Sequence, residues 1–361
     1  MKNRAPGLQL VAAVLTALPL AVAAGCTSTP MLEYNLHVPA QTLIPPGAPP
    51  VQDGRGRFRE IFCALLAQEP GAATRPCEVL LHRLSDEPAR ARRARPLPAH
   101  DLGLTVIFVP GLLGDCPYGL SPPFETAVRR LRHLGYDAWV APVSASSNSP
   151  ANAERLAREI SERPSERIVL IGHGRGVVDI LELLVTNSAV ASRTQAVLSV
   201  AGAINGSPLA DSPAGAALLF PRGGDTACTE GELQFLGDLK RAHRVRWLME
   251  HPLPKGVRYF SIGAFAPRSE VVLPLRPRAA ALARIDPRND GLTPFFDQVI
   301  PGSELLGYAN TDHWTIAADP AGLAHSPPQV KPETPSFPRD VLIEAALLRI
   351  SEVLSSNGAD G

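Results

Sequence analysis

The sequence predicts an α/β protein with a mostly parallel central sheet and helices on both faces. Three observations carry this expectation. From Leu104 onward, short apolar runs alternate with stretches whose apolar residues fall at helical spacing. One junction, "RIVLIGHGRGVVDILELL" (167–184), joins an apolar strand to an apolar helix through a Gly-x-Gly-x-Gly turn. The composition is globular, with 361 residues, 45% hydrophobic and 19% charged, enough for a substantial core.

Each element follows from its local pattern. "LTVIFVPG" is a near-continuous apolar run stopped by Pro110–Gly111, as a strand covered on both faces should be. In "FETAVRRLRHLG", Phe124, Ala127, Val128, Leu131 and Leu134 share a helix face and Gly135 ends it. A strand at "DAWVAPV", a helix at "NAERLAREIS", the strand "RIVLIG", the helix after the glycine turn and the strand "AVLSVAGA" complete the βαβαβαβ order. The alternation then stops. Residues 205–255 read as an inserted lid over one edge of the sheet, with a helix near "ELQFLGDLKRAHRVRWLMEH". It resumes at "VRYFSIGAF" and "DQVIPGSELLG", and a helix at "DVLIEAALLRISEVL" closes the chain.

Upstream of this domain, which spans 101–361, three segments are expected. Residues 1–25 read as a signal peptide: Lys2 and Arg4 precede an apolar stretch from Leu8 to Ala24. It ends in small residues directly before Cys26, a pattern that resembles the lipobox of bacterial lipoproteins, in which the cysteine is lipidated. Residues 26–55 read as a Pro-rich spacer between membrane and domain. Residues 56–100 read as a helical segment with two short amphipathic helices, "FREIFCALL" and "CEVLLHRL". An exported chain meets an oxidising compartment. The four remaining cysteines allow three pairings. Cys63–Cys77 and Cys116–Cys228 are expected, the first because the pair closes a short loop.

Charge narrows the partners. Lys plus Arg equals Asp plus Glu, 35 each, so no basic excess points to nucleic acid. No His/Cys/Asp cluster has metal-ligand spacing, and no cofactor is expected.

The chemistry centres on Gly174. A Gly-x-Nuc-x-Gly turn between strand and helix exposes a nucleophile on a sharp bend, and Gly172 and Gly176 are the flanking glycines. "DPRNDGLTP" supplies Asp290 and "YANTDHW" supplies His313, in nucleophile–acid–base order. With these residues the sequence resembles the α/β-hydrolase superfamily, and within it exported lipase/esterase-like bacterial lipoproteins. The resemblance covers about Leu104 to Trp314. It implies an α/β-hydrolase fold, catalytic roles for Asp290 and His313, and an oxyanion hole from the backbone N–H groups of Leu112 and Arg175. It also implies a serine at the elbow, where this chain has Gly174. Without an Oγ no acyl-enzyme ester can form.

The expectation is therefore a hydrolase-like scaffold whose ester-hydrolase activity is absent or strongly reduced, with an ester or lipid as its small-molecule ligand. The alternative is an active hydrolase using Ser207 in "NGSPLAD", another nucleophile such as Cys116, or a water activated by His313. A nucleotide-binding module is disfavoured: position 177 is Val where the dinucleotide fingerprint needs Gly, and no acidic residue follows the next strand. The expected location is the bacterial cell envelope, on the periplasmic or outer-membrane face, with the lipid as membrane anchor. Mass spectrometry of the mature protein should find Cys26 first and carrying an acyl-glyceryl mass. An unlipidated chain starting elsewhere would contradict this expectation.

Overall fold

In the computed structural model, the residues described are 36, 39–69, 71, 75–88, 95–111, 121–163, 165–219, 235–320 and 337–357. The first elements are β1 (Gln52–Asp53), α1 (Arg55–Gln68), α2 (Cys77–Leu80) and β2 (Leu81–His82). The main alternation follows with β3 (Thr105–Val109), α3 (Glu125–His133), β4 (Asp137–Val140), α4 (Ser149–Ser161) and β5 (Ile168–His173). Next come α5 (Arg175–Thr186), α6 (Ser188–Arg193), β6 (Thr194–Val200), α7 (Pro213–Leu219), α8 (Phe235–Asp238) and α9 (Arg241–Glu250). The chain continues through β7 (Arg258–Phe265), α10 (Arg276–Leu282), β8 (Glu304–Asn310) and α11 (Arg339–Asn357).

The strands form one sheet in the order β1-β8-β7-β6-β5-β3-β4, and β2 adds to β8. All pairings are parallel except β2 with β8. The apolar runs are continuous because both faces are covered. On one face, Val106, Phe108, Val169, Ile171 and Leu198 pack with α1, α3 and α11. On the other, Ile107, Val109, Leu170 and Val197 pack with α4, α5 and α9. Burying each such side chain contributes roughly 1.5–3 kcal/mol.

Three expectations are corrected. The insertion does not lie over a sheet edge: it connects β6 and β7, which are neighbours in the middle of the sheet. Of its described part, Leu209, Phe235 and Leu239 meet Val272, Leu275, Leu292 and Trp314 in the loops that follow β7 and β8, while α9 packs on the sheet face. The second upstream helix is a single turn, because residues 81–82 extend to pair with β8. The Pro-rich stretch is docked from residue 39 on. Leu43 N donates to Phe296 O at 3.2 Å, and Gln52 N to Ser303 O at 2.9 Å, just before β1 joins the sheet.

Residue 101 is therefore no boundary in space, since α1 shares a core with α11 and β8. The arginines of α1 are buried rather than solvated. Arg59 grips Glu87 with two bonds, at 2.5 and 2.7 Å, and also donates to the carbonyls of Leu81 and His82. The Cys63–Cys77 disulfide ties α1 to α2. Cys116 and Cys228 lie outside the described residues, as do residues 1–35, which include Cys26.

His82 is stacked on Phe265 at 3.9 Å, with Nε2 2.8 Å from the Phe265 carbonyl. Burial, with Arg75 and Arg59 nearby, pushes its pKa down to about 3. The unfolded chain takes up this proton near pH 6.5 and the folded chain does not, so stability is fully present above pH 6.5 and lost as pH falls towards 3. In His82→Gln the amide keeps a donor for Phe265 and does not titrate. Denaturant unfolding at pH 7.5, 6 and 5 should show the wild type losing more stability than the variant, by up to about 1.4 kcal/mol per pH unit below 6.5. Parallel pH profiles would contradict the buried neutral imidazole.

Candidate active site

Strand β5 ends in Gly172 and His173, Gly174 makes the bend, and α5 starts at the next residue. Gly174 has φ 54° and ψ −118°, a conformation that costs a residue with a Cβ about 1–3 kcal/mol. The bend is fixed from three sides: Gly174 N donates to Val200 O at 3.1 Å, and Gly174 O accepts from Ala203 N at 3.0 Å and Val177 N at 3.4 Å. The flanking glycines are required by space. A Cβ on Gly172 would lie 2.8 Å from the Val177 backbone, and one on Gly176 would overlap the carbonyls of Val109 and Pro110. At the end of β3, a Cβ on Gly111 would meet His173 O at 2.7 Å and Arg175 N at 3.2 Å. The β3 end is thus pressed against the turn.

Asp290 comes from the loop between β7 and β8, and His313 from the turn after β8. Their side chains meet, with Nδ1 2.6 Å from Oδ2. Asp290 has no exposed surface. Its Oδ1 accepts from the backbone N–H groups of Leu292 (2.8 Å) and Thr293 (2.7 Å), which compensate for the lost water. The backbones are also joined, His313 N donating to Asp290 O at 2.9 Å. With Nδ1–H given to Asp290, Nε2 carries the lone pair, and this atom faces Gly174. It lies 2.7 Å from where a Cβ on Gly174 would sit.

Two residues that sequence reasoning passed over hold His313. His173 is fully buried and its ring packs against the His313 ring, with centroids 4.4 Å apart and planes tilted by 40°. Its Nε2 lies 2.7 Å from the His313 carbonyl, a distance that makes it the donor. Burial, with His313 beside it, holds its pKa well below the histidine range, so it is neutral. Asp312 caps the turn: its carboxylate accepts from Trp314 N and Thr315 N, both at 2.9 Å, and from Val272 N at 3.1 Å. Asp312–His313 is thus a buried turn rather than a solvated loop. The spacing Asp312-x-x-Thr315 carried a capping signal. His173 carried none beyond its place in the elbow.

The remaining candidates fall as follows. Arg175 N opens α5 directly after the bend, while its buried guanidinium binds the carbonyls of Ser147 and Ser144, both at 2.5 Å. Ser207 is buried and its hydroxyl donates to Leu292 O at 2.5 Å. Leu112 and Cys116 lie outside the described residues. Among the described residues, the His/Cys/Asp/Glu group close enough to share an ion is Cys63, Cys77 and Glu78, and both sulfurs are spent in the disulfide.

No protein-family model matches the chain, and no match is found among curated proteins. Among solved structures it is similar to the metagenomic carboxyl esterase MGS0156, with 38% identity over 88% of this chain and 97% of that one, and a TM-score of 0.76. It also shows a remote likeness to the mature Bacillus licheniformis lipase BlEst2, with 19% identity over 61% of this chain and 89% of that one, and a TM-score of 0.48.

The bend predicts a measurable strain. Gly174→Ala adds a Cβ at positive φ against His313 and should lower unfolding stability by about 1–3 kcal/mol. Denaturant titration checks this, and an unchanged midpoint would contradict the geometry.

Proposed function

Since the chain belongs to the α/β-hydrolase superfamily, with carboxyl esterase/lipase-like ancestry, we propose that it is a hydrolase scaffold that has lost its nucleophile and is catalytically inactive or strongly impaired. One observation carries this reading. The Asp290–His313 pair is assembled and aimed at an elbow bend whose central residue, Gly174, has no side chain. In a serine member of the superfamily, the histidine would take the hydroxyl proton and the oxygen would attack the ester carbonyl. Here the base and its orienting acid are in place and the attacking atom is not.

The ligand of such a site is an ester or lipid, by the carboxyl esterase ancestry. The oxyanion hole is proposed to come from the N–H groups of Arg175 and Leu112. A second reading rests on the His313 lone pair itself, which faces the bend and can act as general base towards a water. Slow hydrolysis by that route needs no covalent intermediate. Ser207 is the less favoured nucleophile, because its proton is committed to Leu292 O. We also propose that the protein is lipid-anchored through Cys26 in a bacterial cell envelope. Among the described residues, no helix is long and apolar enough to cross a membrane.

Gly174→Ser supplies the missing atom. His313 has to give way by several tenths of an ångström, because its Nε2 stands 2.7 Å from the incoming Cβ. Hydrolysis of p-nitrophenyl butyrate should rise at least about 10²-fold over wild type, a part of what loss of a triad serine costs. Adding His313→Ala should abolish the gain, while in the wild-type background His313→Ala should remove only a trace of turnover. Wild-type turnover equal to that of active esterases would contradict the proposal, and so would a folded but inert Ser variant.

A further inference from the structure

A second cavity lies at the opposite end of the sheet from Gly174 and His313. It has a volume of about 510 Å³ and is bordered by Arg258, Tyr259 and Glu304, at the N-terminal ends of β7 and β8. His313 follows the C-terminal end of β8. The length of the strands, roughly 20 Å for a seven-residue strand, therefore separates the two places.

The lining is mainly apolar, with Gln52 and Tyr259 as polar side chains beside the charged rim. One wall is a strap of chain carrying Pro45, Pro46 and Pro49. The strap is pinned at both ends by the Leu43–Phe296 and Gln52–Ser303 backbone bonds, and it contains a turn closed by Ala48 N to Pro45 O at 3.1 Å. The facing wall is the end of α9 and its exit, with Leu248, Met249 and Leu253. Prolines lack an N–H and fix the backbone, so this slot is preformed and makes few demands for hydrogen bonds. Met249 and, on the strap, Leu43 and Ile44 are exposed apolar side chains beside it.

The charges at the rim that lack an ion pair among the described residues are positive. Lys255 and Arg258 border the cavity and are exposed, and neither side chain has an ion pair among the described residues. The acid at the rim, Glu304, is already paired with Arg349 at 2.8 Å. A slot of this size with mainly apolar walls and two cations without an ion pair at its edge fits one kind of molecule.

We propose that this cavity binds an acyl amphiphile, with a hydrocarbon tail between the strap and the end of α9 and an anionic head on Lys255 and Arg258. The head and tail belong either to a free long-chain carboxylate or to an anionic membrane lipid. The strap leads in sequence towards Cys26, so a lipid at this site would add a second hold on the membrane. The site does not depend on the state of Gly174.

Two variants test it by different physics. Lys255→Glu/Arg258→Glu reverses the rim charge at exposed positions, and Ala48→Trp fills the slot from the strap. Thermal melting establishes that each is folded. Calorimetric titration with oleate should show saturable one-to-one binding by the full mature chain, weakened at least about tenfold by each variant. Flotation of the unacylated Cys26→Ser chain with phosphatidylglycerol vesicles, against phosphatidylcholine vesicles, distinguishes the sources. Recruitment to the anionic vesicles that both variants abolish identifies the membrane lipid. Oleate binding without such recruitment identifies the free acid. Neither oleate nor vesicle binding, or binding that both folded variants leave unchanged, overturns the proposal. So does a loss confined to the charge reversal, which would mean surface attraction without a tail site.

Discussion

The site depends on one buried carboxylate. Asp290 is cut off from water, and an unpaired charge there would cost several kcal/mol. Two backbone N–H groups and the His313 ring offset that cost. The same contacts fix which nitrogen of His313 bears the proton and where the ring points. The ring also packs against neutral His173 at a tilt, while the His313 carbonyl accepts from His173 Nε2. Asp312 then pins the turn that carries it. His313 has little freedom to point elsewhere.

At the focus of this arrangement stands Gly174, a residue with no side chain. The close approach of the β3 end to the turn forces glycine at positions 111, 172 and 176. Gly174 differs, because its bend tolerates a side chain at the cost of strain, and the obstacle is the imidazole that now occupies that space. Glycine holds this bend without the strain a side chain would bring, and on the proposed reading it also leaves the site without its oxygen. The oriented imidazole and its buried carboxylate are set in a chain of carboxyl esterase-like ancestry.

Much of this was legible in the sequence, for identifiable reasons. Strands β3 to β8 stood out because parallel strands covered on both faces read as unbroken apolar runs. The elbow was visible because its glycines answer to close packing, and the meeting of Asp290 with His313 was expected from the chain order of the superfamily that the sequence resembles. The upstream segment was hidden. Two-residue strands at 52–53 and 81–82 have no periodicity to detect. The burial of Arg57 could not be read locally, because its partner Glu352 stands 295 residues away. The insertion was misplaced because strand order in space is not written in chain order. His173 was missed because its role is set by a contact with residue 313, across the sheet end.

The claim that the nucleophile is lost is tested most directly by intact-mass analysis of the wild-type protein after exposure to a fluorophosphonate probe, which bonds covalently to activated serines. The account predicts no adduct on the folded wild type, under conditions that label Gly174→Ser with one equivalent. A stoichiometric adduct on the wild type, mapped to Ser207 or to any other residue, would contradict it.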